Sequence, residues 1–139
     1  MIGYQTSPLA DNQTNQIVIG HNAIGNGSNT TTIGNDSITA TILKGNVSTL
    51  GTMSASSYIT TSDINLKDVI LQDGDVIHYK WKNKQDELIH IGYSAQEKRV
   101  DYPDAIYENK DGLLSVNYIE ILVDKIRQLE KRIQTLEHK

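Results

Sequence analysis

The chain has no cysteine among its 139 residues, which excludes disulfides, Cys-ligated zinc and thiol catalysis. It has no apolar run approaching the roughly 20 residues that span a bilayer. Its first residues, MIGYQTSPLADN, carry neither the basic segment nor the apolar segment of a secretory signal. Positive charge is not in excess. The formal net charge of −4 gives no electrostatic reason to expect nucleic acid or an anionic membrane as partner. His21, His78, His90 and His138 are scattered without metal-ligand spacing, so neither a metal nor another cofactor is expected. No dinucleotide fingerprint is present, and Gly25-Asn26-Gly27 reads as a turn.

Charge is also scarce in one half of the chain. Only Asp11, Asp36 and Lys44 are charged within residues 1–60, and the other 27 of the 30 charged residues follow. Two regimes of sequence therefore meet near Thr61. In the first, IVIGHNAIGNGSNTTTIG at 17–34 repeats Ile-Gly at 19–20, 24–25 and 33–34, with the outer pair 14 residues apart. Short β-branched triplets (Ile17-Val18-Ile19 and Thr31-Thr32-Ile33) alternate with Gly/Asn corners that tolerate positive φ. The pattern predicts brief strands with recurring corners, as in β-solenoids and β-rolls. Each repeat offers only one or two apolar side chains, so the region needs a partner, and in a fibre that partner is a second copy of itself. A flexible polar linker is the competing reading, which the fixed Ile-Gly spacing disfavours. From Ile38 to Ile59 the Thr/Ser-rich chain carries Ile38, Ile42, Leu43, Val47, Leu50 and Met53, a composition suited to strands in a narrow intertwined stem.

The C-terminus carries a heptad pattern. With Ile119, Ile126 and Ile133 at position a, Leu122, Leu129 and Leu136 fall at d, the signature of a coiled coil. Lys125, Arg132 and Lys139 occupy g, while Val123, Glu130 and Glu137 occupy e. A parallel assembly would face Lys125 with Glu130 and Arg132 with Glu137 of a second copy. The alternative is one amphipathic helix packed on its own domain. Ile at a with Leu at d favours two strands by the simplest rule, so the helix alone leaves the oligomer number open.

Three further segments stand in order: Ser-Asp-x-x-x-Lys in SDINLKDVI (62–70), Gly-Tyr-Ser-Ala-Gln-Glu (92–97), and Asp-Gly-Leu-Leu-Ser-Val-Asn-Tyr (111–118) leading into the heptads. Together they resemble the peptidase S74, or endosialidase-type, intramolecular chaperone domain found at the C-termini of phage tailspikes, tail fibres and neck appendages. The resemblance covers 62–139, and the Gly/Asn-rich stretch before it is similar to the stems that precede this domain.

The resemblance implies an α+β homotrimeric chaperone domain at 62–139, closed by a parallel coiled coil at about 116–139 and mounted on a triple-β-helix or β-roll stem at 1–61. It also implies that the domain registers three chains, cuts the Thr61–Ser62 bond, and leaves for the host cytoplasm while the stem stays in the virion. Its partners would then be two further copies and its own upstream stem. By the same resemblance Ser62 is the nucleophile and Lys67 the base. Asn65 stands where members commonly carry a basic residue. Asp63, Gln96 and Glu97 are candidate supporting residues, with a buried polar network the plainer reading for the last two.

A serine hydroxyl needs a nearby base, and lysine serves only when neutral, which requires burial or a cationic neighbour. Five residues of α-helix turn through about 500°, so Ser62 and Lys67 cannot share a helical face. The pair needs a turn between them, or a lysine from a neighbouring chain. The plain structural reading of Ser62-Asp63 is a helix N-cap. Trp81 lies among Asp73, Asp75, Asp86 and Glu87, which favours a half-exposed strand over a base-stacking platform. Two other functions compete with self-cleavage. One is a trimerisation cap that does not cut. The other is a glycan-binding adhesin tip, for which 1–60 offers only Tyr4 and Tyr58 as aromatics.

Overall fold

The computed structural model describes residues 1–83 and 86–138. The chain is a small α+β protein that divides into two units, Met1–Thr52 and Met53–Lys139.

In the first unit, β1 (Ile17–Ile19) pairs in parallel with β2 (Thr31–Ile33), Ile17 opposite Thr31 and Ile19 opposite Ile33. The Ile-Gly offset of the sequence is thus the register of a ladder. The corners repeat it: Asn15 Nδ2 donates to Asn29 Oδ1 at 2.9 Å, and Asn35 Nδ2 to the His21 carbonyl at 2.7 Å. A further layer is added by parallel bridges from Ile2 to Ile19 and from Ser7 to Ile24. The repeated glycine is required where layers touch. Gly20 has φ +136°, and a Cβ there would lie 3.1 Å from Gly34 Cα. Asn15, Asn22 and Asn29 take the left-handed conformation at the turns, where an Asn costs less than most residues.

This unit buries little. Val18 and Ala23 are its buried apolar side chains, while Ile17, Ile24 and Ile33 are exposed. Between Ile33 and Thr60 no strand or helix forms, although the composition there predicts strands. Ile42, Leu43, Val47 and Leu50 are exposed, so one chain supplies no surface on which those strands could pack.

The second unit contains two antiparallel three-stranded sheets. One is ordered β3 (Thr60–Thr61), β8 (Leu114–Val116), β7 (Ile106–Glu108), and the other β4 (Lys67–Asp73), β5 (Val76–Trp81), β6 (His90–Gly92). Trp81 ends β5 half-buried. Between β6 and β7 lies α1 (Ala95–Asp101), capped by the Ser94 hydroxyl, and β8 is followed by α2 (Tyr118–Glu137), capped by the Asn117 side chain. Tyr93, Ala95, Ala105, Leu114, Val116 and Ile121 form the core.

Two faces of α2 have opposite fates. Ile121, at heptad position c, is fully buried against its own domain, whereas the six a and d residues are 47–68% exposed. Intramolecular packing therefore accounts for one stripe of the helix and leaves the heptad stripe uncovered. Val116, at the start of the expected coiled-coil range, belongs to β8. Lys125, expected to meet Glu130 of another copy, donates to Asp75 Oδ2 of its own chain at 2.6 Å. Lys139 lies outside the described residues.

Replacing Gly20 with Ala places a Cβ in a glycine conformation and against the next layer, at an expected cost above about 1 kcal/mol. The Gly34 amide, bonded to the Ile19 carbonyl, should then exchange with solvent at least about fivefold faster. Unchanged exchange would contradict the stacking argument.

Candidate active site

Ser62 sits where a strand ends and a turn begins. Its N–H donates to the Leu114 carbonyl at 3.1 Å, continuing the β3–β8 ladder by one pair. The ladder then breaks. The Leu114 N–H is taken by Asp63 Oδ2 at 3.0 Å, and the Ser62 carbonyl accepts from the Ala95 N–H at 3.0 Å instead. Antiparallel pairs alternate between bonded and non-bonded positions. Since Ser62 is bonded to Leu114, Thr61 opposite Ser115 is the non-bonded member. Its carbonyl therefore points to the outer side of β3, the edge strand of its sheet.

Asp63 then caps a 3-10 turn, Ile64–Leu66, by accepting from the Asn65 N–H at 2.8 Å. This turn closes the gap between the two candidate residues. Lys67 follows it as the first residue of β4, and its Nζ donates to Ser62 Oγ at 2.8 Å within the same chain. The N-cap reading of Asp63 and the proximity of Ser62 to Lys67 are thus compatible, because the cap shapes the turn.

Both partners are removed from water: Ser62 is 0% and Lys67 3% exposed. Nζ also donates to the Tyr93 carbonyl at 2.6 Å and lies 4.3 Å from the centre of the Tyr79 ring. No carboxylate forms a salt bridge with it among the described residues. Burial lowers the Lys67 amine to about 8, against a smaller opposing pull from Asp63. Burial by itself would raise the Asp63 carboxyl, but N–H donors from Leu114 and Asn65, with the Gln96 and Asn65 side chains, outweigh it and hold it below its ordinary value. Asp63 therefore remains ionised and committed to the turn.

The other candidates divide. Gln96 Oε1 accepts from the Ile64 N–H at 3.0 Å and so braces the turn. Glu97 is exposed, with its carboxylate 3.5 Å from Gln72 Nε2 and away from Ser62. Asn65 is exposed as well. Two groups not singled out in the sequence complete the site. The Tyr118 hydroxyl lies 2.9 Å from Ser62 Oγ, and the Tyr93 carbonyl accepts the Ser62 hydroxyl at 2.8 Å. The only signal for them was membership of the quoted 92–97 and 111–118 segments.

No family model, curated protein or solved structure matches this chain. The chemistry of the site rests on its own geometry. A serine hydroxyl with no exposed surface cannot meet an external polymer, whereas the peptide bond on its own N-terminal side is covalently present. A surface cleft of about 620 Å³ lies elsewhere, with Asp75, Lys98, Asp124 and Lys125 in its lining. Two of its cations are matched within it: Asp75 accepts from both Lys125 and Lys98, which lower its carboxyl to about 2. Among the described residues no group of three His, Cys, Asp or Glu side chains is placed to hold a metal.

Asp63→Ala leaves the buried Leu114 N–H without its acceptor, at an expected cost of about 1–3 kcal/mol in denaturant titration. The stabilisation due to the charge should be complete above 3.8, the unfolded value. It should disappear as pH falls through the lower folded value. A pH-independent difference between parent and Asp63→Asn would contradict this origin.

Proposed function

We propose that residues 62–139 are an intramolecular chaperone of the peptidase S74, endosialidase type. It gathers three chains, registers the stem at 1–61, and then cuts the Thr61–Ser62 bond once. The observation that carries this reading is a fully buried serine touching a lysine amine lowered to about 8, directly after a carbonyl that lies outside the strand ladder.

Neutral Lys67 takes the Ser62 hydroxyl proton as Oγ attacks the Thr61 carbonyl carbon. The C–N bond breaks, the Ser62 nitrogen receives the proton from Lys67, and an ester joins Thr61 to Oγ. One water then hydrolyses the ester, giving a Thr61 carboxylate and a free Ser62 hydroxyl and amine. In the resting arrangement Lys67 donates to Oγ and the serine proton faces the Tyr93 carbonyl. Cleavage requires both the loss of a proton from Lys67 and a rotation of the serine hydroxyl.

Association is supported by unpartnered surface at both ends of the chain. The heptad stripe of α2 is exposed, and so are Ile17, Ile24 and Ile33 of the N-terminal unit. A parallel coiled coil would cover the first and bring three stems together, leaving the second to be covered by intertwined strands. After the cut, residues 53–61 would retain on the C-terminal unit the short β3 ladder and the bond from Asn117 Nδ2 to Ser57 Oγ at 3.1 Å. The released chaperone would remain in the host cytoplasm. The stem, built into a virion fibre, would be held by the barrier to unfolding once its template is gone.

The second reading is a trimer cap that does not cut. Its support is that every buried side-chain N or O among the described residues already has a partner, as a purely structural network would.

Intact-mass analysis separates the two. The parent should yield a fragment beginning at Ser62, and Ser62→Ala should stay whole; a persistently intact parent would favour the cap. The parent's cleavage rate should rise roughly tenfold per pH unit while Lys67 is mostly protonated, then level off above about 8. A rate flat between pH 6 and 8 would remove Lys67 as the base. The double variant Ile126→Asp/Leu129→Asp should sediment as a monomer and stay uncut. Efficient cleavage by that monomer would break the link to assembly.

A further inference from the structure

Resting on that reading of the site, we propose that the Tyr118 hydroxyl is its third working group: it holds Ser62 Oγ in place, and Gly92 is a glycine in order to admit it.

The hydrogen bonds leave one arrangement of protons. The Tyr93 N–H donates to the Tyr118 oxygen at 3.0 Å, so the phenol proton must go elsewhere, and Ser62 Oγ at 2.9 Å is the acceptor. Oγ then receives two donors, Tyr118 and Lys67, and its own proton turns to the Tyr93 carbonyl. Both polar groups of residue 93 thereby enter the circuit: its N–H orients Tyr118, while its carbonyl orients Ser62 and Lys67.

Gly92 supplies an independent observation. It is a buried strand residue and is absent from the positive-φ glycines, so its backbone does not call for glycine. Space does. A Cβ at 92 would lie 2.6 Å from the Tyr118 hydroxyl oxygen but 3.5 Å from Cζ behind it. The room made by the missing side chain is the room occupied by that oxygen.

Tyr118 is also the first residue of α2, one position before the first heptad residue, Ile119. Its ring stacks on Tyr93 with centroids 5.5 Å apart, and Lys125, held by Asp75, lies 5.1 Å from the centre of the Tyr93 ring. The helix that would form the trimer seam thus starts with a hydroxyl on the nucleophile. A shift of that helix moves Oγ relative to Lys67, which gives assembly a physical route to the cut.

The test compares parent, Tyr118→Phe, Gly92→Ala and the double variant in the full chain, reading oligomeric state, melting temperature and cleavage rate. Tyr118→Phe should assemble and cleave about 10- to 100-fold more slowly. Gly92→Ala should lose both stability and rate, whereas the double variant should regain stability without regaining rate, because Cβ then meets Cζ at an ordinary contact. A Tyr118→Phe oligomer that cleaves like the parent, or a double variant that recovers the rate, overturns the role of the hydroxyl while leaving self-cleavage intact. A parent that never cleaves overturns the underlying reading, and this inference with it. Should Tyr118→Phe alone fail to assemble, the double variant, whose Cβ at 92 fills the space left by the hydroxyl, decides: an assembled double variant that cleaves like the parent would reject the proposal.

Discussion

A lysine amine taken out of water without a carboxylate in contact is the constraint on which the C-terminal unit turns. An ammonium in such a place is tolerated only if neutral acceptors replace its hydration. Here the Tyr93 carbonyl, Ser62 Oγ and the Tyr79 ring do so. Their replacement is incomplete, so the proton is held less tightly than in water. The same burial that costs stability lowers the amine to about 8, as a base would require. Asp63 could have neutralised the lysine, yet its carboxylate is spent on the Leu114 and Asn65 N–H groups, which shape the turn that brings Lys67 back to Ser62.

The geometry also explains why the site would act on itself. The alternation of the β3–β8 ladder leaves the Thr61 carbonyl outside the strand pairing, while the break that follows anchors the Ser62 carbonyl to Ala95. The two sides of the candidate bond are therefore held differently. One belongs to a two-residue edge strand, and the other to the capped turn that leads into β4. The N-terminal unit presents the converse problem. Its ladder is specified residue by residue through glycine and asparagine corners, but its interior is too small for one chain to stabilise strongly. The two units are thus unequal in buried apolar side chains: Val18 and Ala23 in the first, eight residues in the second.

Much of this was legible in the sequence, in particular places. The 14-residue Ile-Gly offset reappears as the β1–β2 register, because corner residues and ladder repeat together. The heptads fall within a helix, Tyr118–Glu137, because a 3.5-residue apolar period suits no other element. The spacing of Ser62 and Lys67 excluded a shared helical face, and a 3-10 turn is what joins them. Tyr118 and Gly92 were not legible as partners, since their encounter depends on how β6 meets the start of α2. Nor was the Asp75–Lys98–Lys125 cluster, which joins a hairpin turn to two helices. The heptad pattern places Lys125 at a g position and gives no sign of the hairpin that reaches it. The absence of strands over 38–59 shows the limit of composition alone: β-branched residues make strands only where something covers them.

Self-cleavage by this route would depend most directly on the protonation of Lys67. Nitrogen-detected NMR of the Lys67 ε-amine, followed through a pH titration of the uncut Ser62→Ala protein, measures it without waiting for cleavage. The expected midpoint is near 8. A midpoint at the ordinary lysine value of 10.5 would mean that the amine is solvated or paired in solution, and would leave Ser62 without a base.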